Sequence, residues 1–137
     1  MTEPLTGGCL CGAVRFELTE PPVSAAYCHC TRCQRRTGTA ASASARVAPG
    51  SFRLLQGGDV LGAWRPPDGF AKVFCRSCGA ALWSEDPADP DVKGIRLGAF
   101  DGDPGVRPSA RQFTDFAAAW EPLPDDGLPR FGGARSG

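Results

Sequence analysis

Seven cysteines in three tight groups define the chemistry open to this chain: Cys9 and Cys11, then Cys28, Cys30 and Cys33, then Cys75 and Cys78. Cysteines two or three residues apart make chelating claws, because one sharp turn lets both thiolates face a single point. A structural zinc takes four such ligands, whereas a catalytic zinc keeps three protein ligands and one open position. Seven divides into four and three, so the count points to one closed site and one open one. Disulfides fit poorly, because the number is odd and Cys-x-Cys pairs are awkward to bridge.

Two of the groups end in Cys-Gly, at Cys11-Gly12 and Cys78-Gly79. A glycine there accommodates a positive φ, which lets backbone amides turn toward the sulfurs. That likeness groups Cys9, Cys11, Cys75 and Cys78 as one four-sulfur site, stapling the early chain to the middle of the fold. The middle group, Cys28-His29-Cys30-Thr31-Arg32-Cys33, offers three sulfurs within six residues. Spacing alone leaves two partitions open. In the favoured one the triple binds its own metal. In the other, Cys30 and Cys33 join Cys75 and Cys78 as a zinc ribbon and leave Cys9, Cys11 and Cys28. His29 is the only histidine, a candidate fourth ligand or proton shuttle. The middle side chain of a Cys-x-Cys turn usually points away from the metal. Arg32, Arg35 and Arg36 lie beside the triple, where they either offset its charge, hold substrate carboxylates, or are simply solvated.

The elements that must carry these groups read as short strands. The chain has 137 residues, enough for one domain with a modest core. Its 18 glycines and 13 prolines imply many turns. Strands are predicted over Ala13 to Leu18, Ser24 to Cys28, Phe52 to Leu55, Val60 to Trp64, Phe70 to Phe74, Ala80 to Ser84 and Gly94 to Phe100. The small-residue stretch Ala40 to Val47 fits a strand or a loop. Turn signals separate these runs, such as Gly57-Gly58-Asp59 and Pro66-Pro67-Asp68-Gly69. Many short strands with little helix give a mainly β, small, single-domain, zinc-stapled fold. Trp64, Trp83, Trp120, Tyr27 and the eight phenylalanines are expected in its core. The domain is expected over residues 1–130, with 131–137 as a flexible tail.

Several function classes are excluded at this level. No stretch approaches the roughly 20 apolar residues of a membrane span. The first residues show no signal peptide, so a cytoplasmic protein with reduced thiols is expected. The formal charge is zero and no basic stripe is visible, so neither nucleic acid nor membrane is an expected partner. A single histidine supplies no Ser/His/Asp triad, and the glycine pairs lack the context of a phosphate loop.

Three stretches together resemble a known family: Gly7-Gly8-Cys9-Leu10-Cys11-Gly12-Ala13-Val14-Arg15-Phe16, Cys28-His29-Cys30-Thr31-Arg32-Cys33-Gln34-Arg35-Arg36-Thr37-Gly38, and Phe74-Cys75-Arg76-Ser77-Cys78-Gly79. The pattern is similar to the glutathione-dependent formaldehyde-activating enzymes, a family that also includes centromere protein V. Trp120 and the run Asp126 to Phe131 resemble the family's ending. The resemblance implies a β-tent-like fold with two zinc ions per chain. It implies a structural zinc on Cys9, Cys11, Cys75 and Cys78, and a second zinc on Cys28, Cys30 and Cys33; with three protein ligands and an exchangeable fourth position, the second is expected to be labile. Many members carry a histidine where this chain has Arg111, a departure that bears on substrate handling.

A zinc held by three thiolates carries a net charge of about −1 and is a poorer Lewis acid than one held by neutral histidines. Taking up a fourth thiol suits it better than activating water. The resemblance therefore implies a carbon–sulfur lyase acting on a glutathione–aldehyde adduct, with Cys28, Cys30 and Cys33 as its catalytic centre and glutathione as small-molecule partner. A non-catalytic zinc scaffold and a thiol- or metal-handling module are the alternatives.

Overall fold

The structure, a computed structural model, describes residues 3–135. Its elements in chain order are β1 (Leu5–Gly8), β2 (Arg15–Leu18), β3 (Ser24–Cys28), α1 (Thr31–Thr37), β4 (Ser42–Arg46), β5 (Phe52–Gln56), β6 (Leu61–Trp64), β7 (Ala71–Cys75), β8 (Ala81–Asp86), β9 (Asp89–Arg96) and β10 (Pro108–Gln112). Strands hold 40% of the residues and helix 12%, so the mainly β expectation stands.

Two sheets form. One has three strands in the order β1-β2-β5; the other has seven, ordered β10-β3-β4-β9-β8-β7-β6. All pairings are antiparallel except β10 with β3, which is parallel. Directly opposed residues share a face of a sheet. The register of the larger sheet therefore lines up Ala25, Ala45, Ile95, Trp83 and Val73 on one side. All five are buried and belong to the core. The smaller sheet supplies Phe16, wholly buried, whose ring meets Phe52, Trp83 and Phe100 at 5.5, 6.1 and 5.8 Å between centroids.

The other side of the larger sheet is polar. Cys28 opposes Ser42, Ser44 opposes Arg96, and Lys72 opposes Ser84. Helix α1 lies over this side, because Arg36 donates to the Val73 carbonyl at 2.9 Å and rests over the Phe74 ring. One face of the sheet thus builds the core, and the other builds a charged floor beneath the second cysteine group.

Three elements depart from the sequence expectations. The strand β1 was not predicted, since its sequence Leu-Thr-Gly-Gly has poor strand propensity. Packing requires those glycines: a Cβ at Gly7 would run into the Phe16 ring and the Ala99 carbonyl. The helix α1 was also missed. Its seven residues are too few to show a helical period, and its ends are set by Cys30 and by Gly38 in the left-handed region at φ 71°. The third is β10, whose pairing with β3 depends on a connection of 79 intervening positions (residues 29–107) that no local pattern reveals.

Aromatic placement needs a correction as well. Trp83 is buried, but Trp64, Trp120 and Phe116 are exposed. Trp64 instead receives the Arg32 guanidinium 5.3 Å from its ring centre. Beyond β10 the chain doubles back: Arg111 donates its amide to the Pro129 carbonyl, Phe131 to Arg111, and Arg135 to the Gln112 side chain. The stretch read as a tail carries the last two of these hydrogen bonds, at Phe131 and Arg135; Ser136 and Gly137 lie outside the described residues.

Candidate functional site

The first cysteine set sits where β1 ends and β7 turns into β8. Cys9, Cys11, Cys75 and Cys78 bring their four sulfurs within 4.8 Å of one another. The Cys9–Cys11 and Cys11–Cys75 separations are 3.6 and 3.9 Å. Four sulfurs at ~2.3 Å from a tetrahedral zinc would lie about 3.8 Å apart. The set therefore fits a closed four-thiolate site without rearrangement. The zinc-ribbon alternative is not formed, since Cys75 and Cys78 are placed with Cys9 and Cys11.

Local backbone makes this site. Gly12 and Gly79 both take positive φ, 83° and 78°, which any side chain with a Cβ would resist. The turns they complete aim amides at sulfur. The Ala80 amide, ahead of the Cys11 amide, lowers the Cys78 thiol to about 6. Burial acts to raise Cys9, but the Val14 amide, 3.2 Å from its sulfur, and the Cys11 and Cys75 thiols lower it overall. The Ala13 amide acts to lower Cys11, yet its thiol is raised to about 11 because Cys9 leads the opposing effects. Backbone amides thus favour the thiolate form at Cys9 and Cys78, the form a metal ligand takes.

The second set, Cys28, Cys30 and Cys33, also gathers its sulfurs within 4.8 Å. Cys28 ends β3. Cys30 is the N-cap of α1, its sulfur accepting from the Cys33 amide at 3.4 Å, so a ligand does the work of a capping residue. Cys33 follows one turn on and is buried. Within the triple the negative charge settles on Cys33. The Cys28 thiol hydrogen-bonds to it most strongly and, against the effect of burial, the Ser42 hydroxyl, Cys30 and the Arg96 charge help to lower it to about 5. Cys28 is driven the other way, by its bond to Cys33 and then by burial. Either set could hold a metal ion; the four-sulfur set would be closed, and the three-sulfur set would leave one position open.

His29 does not join the triple. The residue is 4% exposed, and its Nε2 accepts from Arg111 Nη1 at 3.2 Å. Burial, then the neighbouring Arg111 charge, lowers its pKa, so the ring stays neutral with its proton on Nδ1. Arg111, noted in the sequence as a departure, is the centre of this arrangement. It lies 4.3 Å over the Tyr27 ring and is bound through two nitrogens, at 3.2 and 2.8 Å, to one Asp126 oxygen. Arg111 thereby ties the returning C-terminal segment to β3 at the edge of the triple.

The three arginines beside the triple separate. Arg32 pairs with Asp68 at 2.7 Å and stacks on Trp64. Arg35 is exposed, in a shallow cleft of about 370 Å³ shared with Thr31, Gln34 and Trp120. Arg36 reaches inward to a second cleft of about 380 Å³, which Ser42, Gly79 and Arg96 also line. Sequence reasoning missed Ser42, Lys72 and Arg96. The available signal was a lone cation alternating with apolar residues, as in Ile95-Arg96-Leu97.

Comparison with known proteins is consistent across sequence and structure. The profile of the family described as "Glutathione-dependent formaldehyde-activating enzyme" matches residues 4–116. A Halomonas elongata protein whose name carries the same description is 30% identical over 105 residues, 72% of this chain and 67% of that one. A crystal structure of a Rhodobacter sphaeroides protein superposes with a TM-score of 0.59 at 22% identity, covering 92% of this chain and 98% of that chain. The last likeness concerns the fold alone.

Proposed function

Because this chain belongs to the glutathione-dependent formaldehyde-activating enzyme family, we propose that it joins glutathione to formaldehyde at Cys28, Cys30 and Cys33. The observation that carries this reading is the three-sulfur cluster set beside a cationic cleft. We assign one zinc to each cysteine set: a structural ion on Cys9, Cys11, Cys75 and Cys78, and a labile one on the triple. At the triple, zinc would supply an open position and the charge that keeps an incoming thiol deprotonated.

In the reaction, the glutathione sulfur forms a bond to the formaldehyde carbon. The carbonyl π pair moves to oxygen, which takes up a proton equivalent to the one the thiol loses. The product is S-(hydroxymethyl)glutathione, so atoms and charge balance with no oxidant or reductant. Run in reverse, the step breaks a carbon–sulfur bond, which is lyase chemistry. The neighbouring cations offset the negative charge of the triple and draw an anionic thiol toward it. Burial of Cys33 limits competing water. The chemistry suits a reducing compartment such as the cytoplasm, and no helix among the described residues is long and apolar enough to cross a membrane.

Thiol entry can be read directly after replacing the metal with Co²⁺. Glutathione is expected to increase the thiolate-to-cobalt absorption of wild type, while S-methylglutathione, which has no free thiol, leaves it unchanged. An unchanged spectrum with saturating glutathione would contradict the proposal.

A further inference from the structure

Arg36 and Arg96 face the same cleft from α1 and from β9. Arg96 is 9% exposed. Its hydrogen bonds go only to neutral hydroxyls, Ser44 at 2.6 Å and Ser84 at 3.3 Å. Arg36 donates to the Val73 carbonyl. The Nε of each is buried without a partner, and among the described residues neither guanidinium has a carboxylate within ion-pair distance. Buried cations are normally paired. The triple supplies part of the counter-charge, since Cys33 acts on Arg36, Lys72 and Arg96 alike. Three thiolates with one divalent metal sum to about −1. Against three cations, that leaves an excess of about two positive charges.

The cleft also adjoins the triple. Ser42 lines it and stands directly opposite Cys28 in the β3–β4 register. The cleft's volume of about 380 Å³ is in the range of small-ligand pockets.

We propose that the Arg36–Arg96 cleft is a carboxylate subsite, selecting peptide-like thiols that carry an anionic end over small neutral thiols. This deepens the glutathione reading and rests on it for the identity of the thiol. Planar guanidinium groups match carboxylate geometry and give the stronger, charge-assisted hydrogen bonds. Lys72 adds to the field from β7.

The test uses the zinc-loaded full chain and isothermal titration with S-methylglutathione, alongside the same compound with both carboxylates esterified. Neither probe can donate a thiol or react with formaldehyde, so the result is independent of whether the catalytic proposal holds. Wild type is expected to bind the acid at least about tenfold more tightly than the ester. Arg36→Gln and Arg96→Gln should each lose about tenfold for the acid and little for the ester. Arg96→Lys, which keeps the charge, should retain part of the affinity if the glutamine variant fails to fold. Equal binding of acid and ester by wild type, or no binding at all, would overturn the subsite and leave the arginines as counter-charge to the thiolates. Loss of affinity in Arg35→Gln with none in Arg36→Gln would overturn it too, in favour of the cleft at Trp120.

Discussion

Cys75→Ser is expected to yield a chain that does not hold its fold. Cys75 is wholly buried, belongs to the core, and ends the strand β7. Its sulfur, with Cys78, would be joined through metal to Cys9 and Cys11, some 64 residues earlier. Metal binding at structural zinc sites in small peptides is worth ~10–16 kcal/mol, and much of that becomes folding free energy. A domain of this size has only ~5–15 kcal/mol of net stability. Losing the zinc term therefore removes an amount comparable to the whole net stability. The substitution also leaves a hydroxyl buried among apolar neighbours. Soluble expression, zinc content and a thermal melt would read this out. A soluble Cys75→Ser protein that melts cooperatively and keeps all its zinc would show that this set is not the structural staple.

Cys30→Ser should behave in the opposite way. Cys30 lies at the start of α1, half-buried, away from the core cluster. A serine can still cap the helix through its hydroxyl, so the local backbone cost is small. With two thiolates remaining, the second metal should be lost. Metal analysis is expected to fall from about two zinc ions per chain to about one, while the unfolding midpoint moves by only a few degrees. Mild chelation of wild type should reach the same one-zinc state. Simultaneous loss of both ions, or a protein that never holds more than one, would contradict the division into four and three.

Much of this division was readable from the residues. The Cys-Gly repeats at Gly12 and Gly79 pointed to matching turns, and both glycines do take positive φ. Six strand predictions find counterparts in the fold, because alternation and turn residues act locally; the seventh, Gly94 to Phe100, meets β9 only through Arg96, after which Leu97–Ala99 forms a 3-10 turn. Ala40 to Val47 resolves as the strand β4, whose small residues pair with β3 and β9. What stayed hidden depends on distant segments. Arg111 meets His29 only because β10 returns parallel to β3. Arg96 and Ser42 approach the triple only through the register of β4 with β3 and β9. Proximity in sequence suggested Arg32 and Arg35 as readily as Arg36, yet the helix turns them outward. A helix spreads consecutive side chains around its axis, so neighbours in the chain need not share a site.

The most direct test is the rate of S-(hydroxymethyl)glutathione formation from glutathione and formaldehyde, measured against buffer at matched thiol concentration. The uncatalysed reaction also proceeds, so only the excess over buffer counts. Wild type loaded with both metals is expected to exceed buffer clearly, and Cys30→Ser to match buffer while remaining folded. Wild type that never exceeds buffer would contradict the account, and so would a Cys30→Ser protein that retains the full wild-type excess.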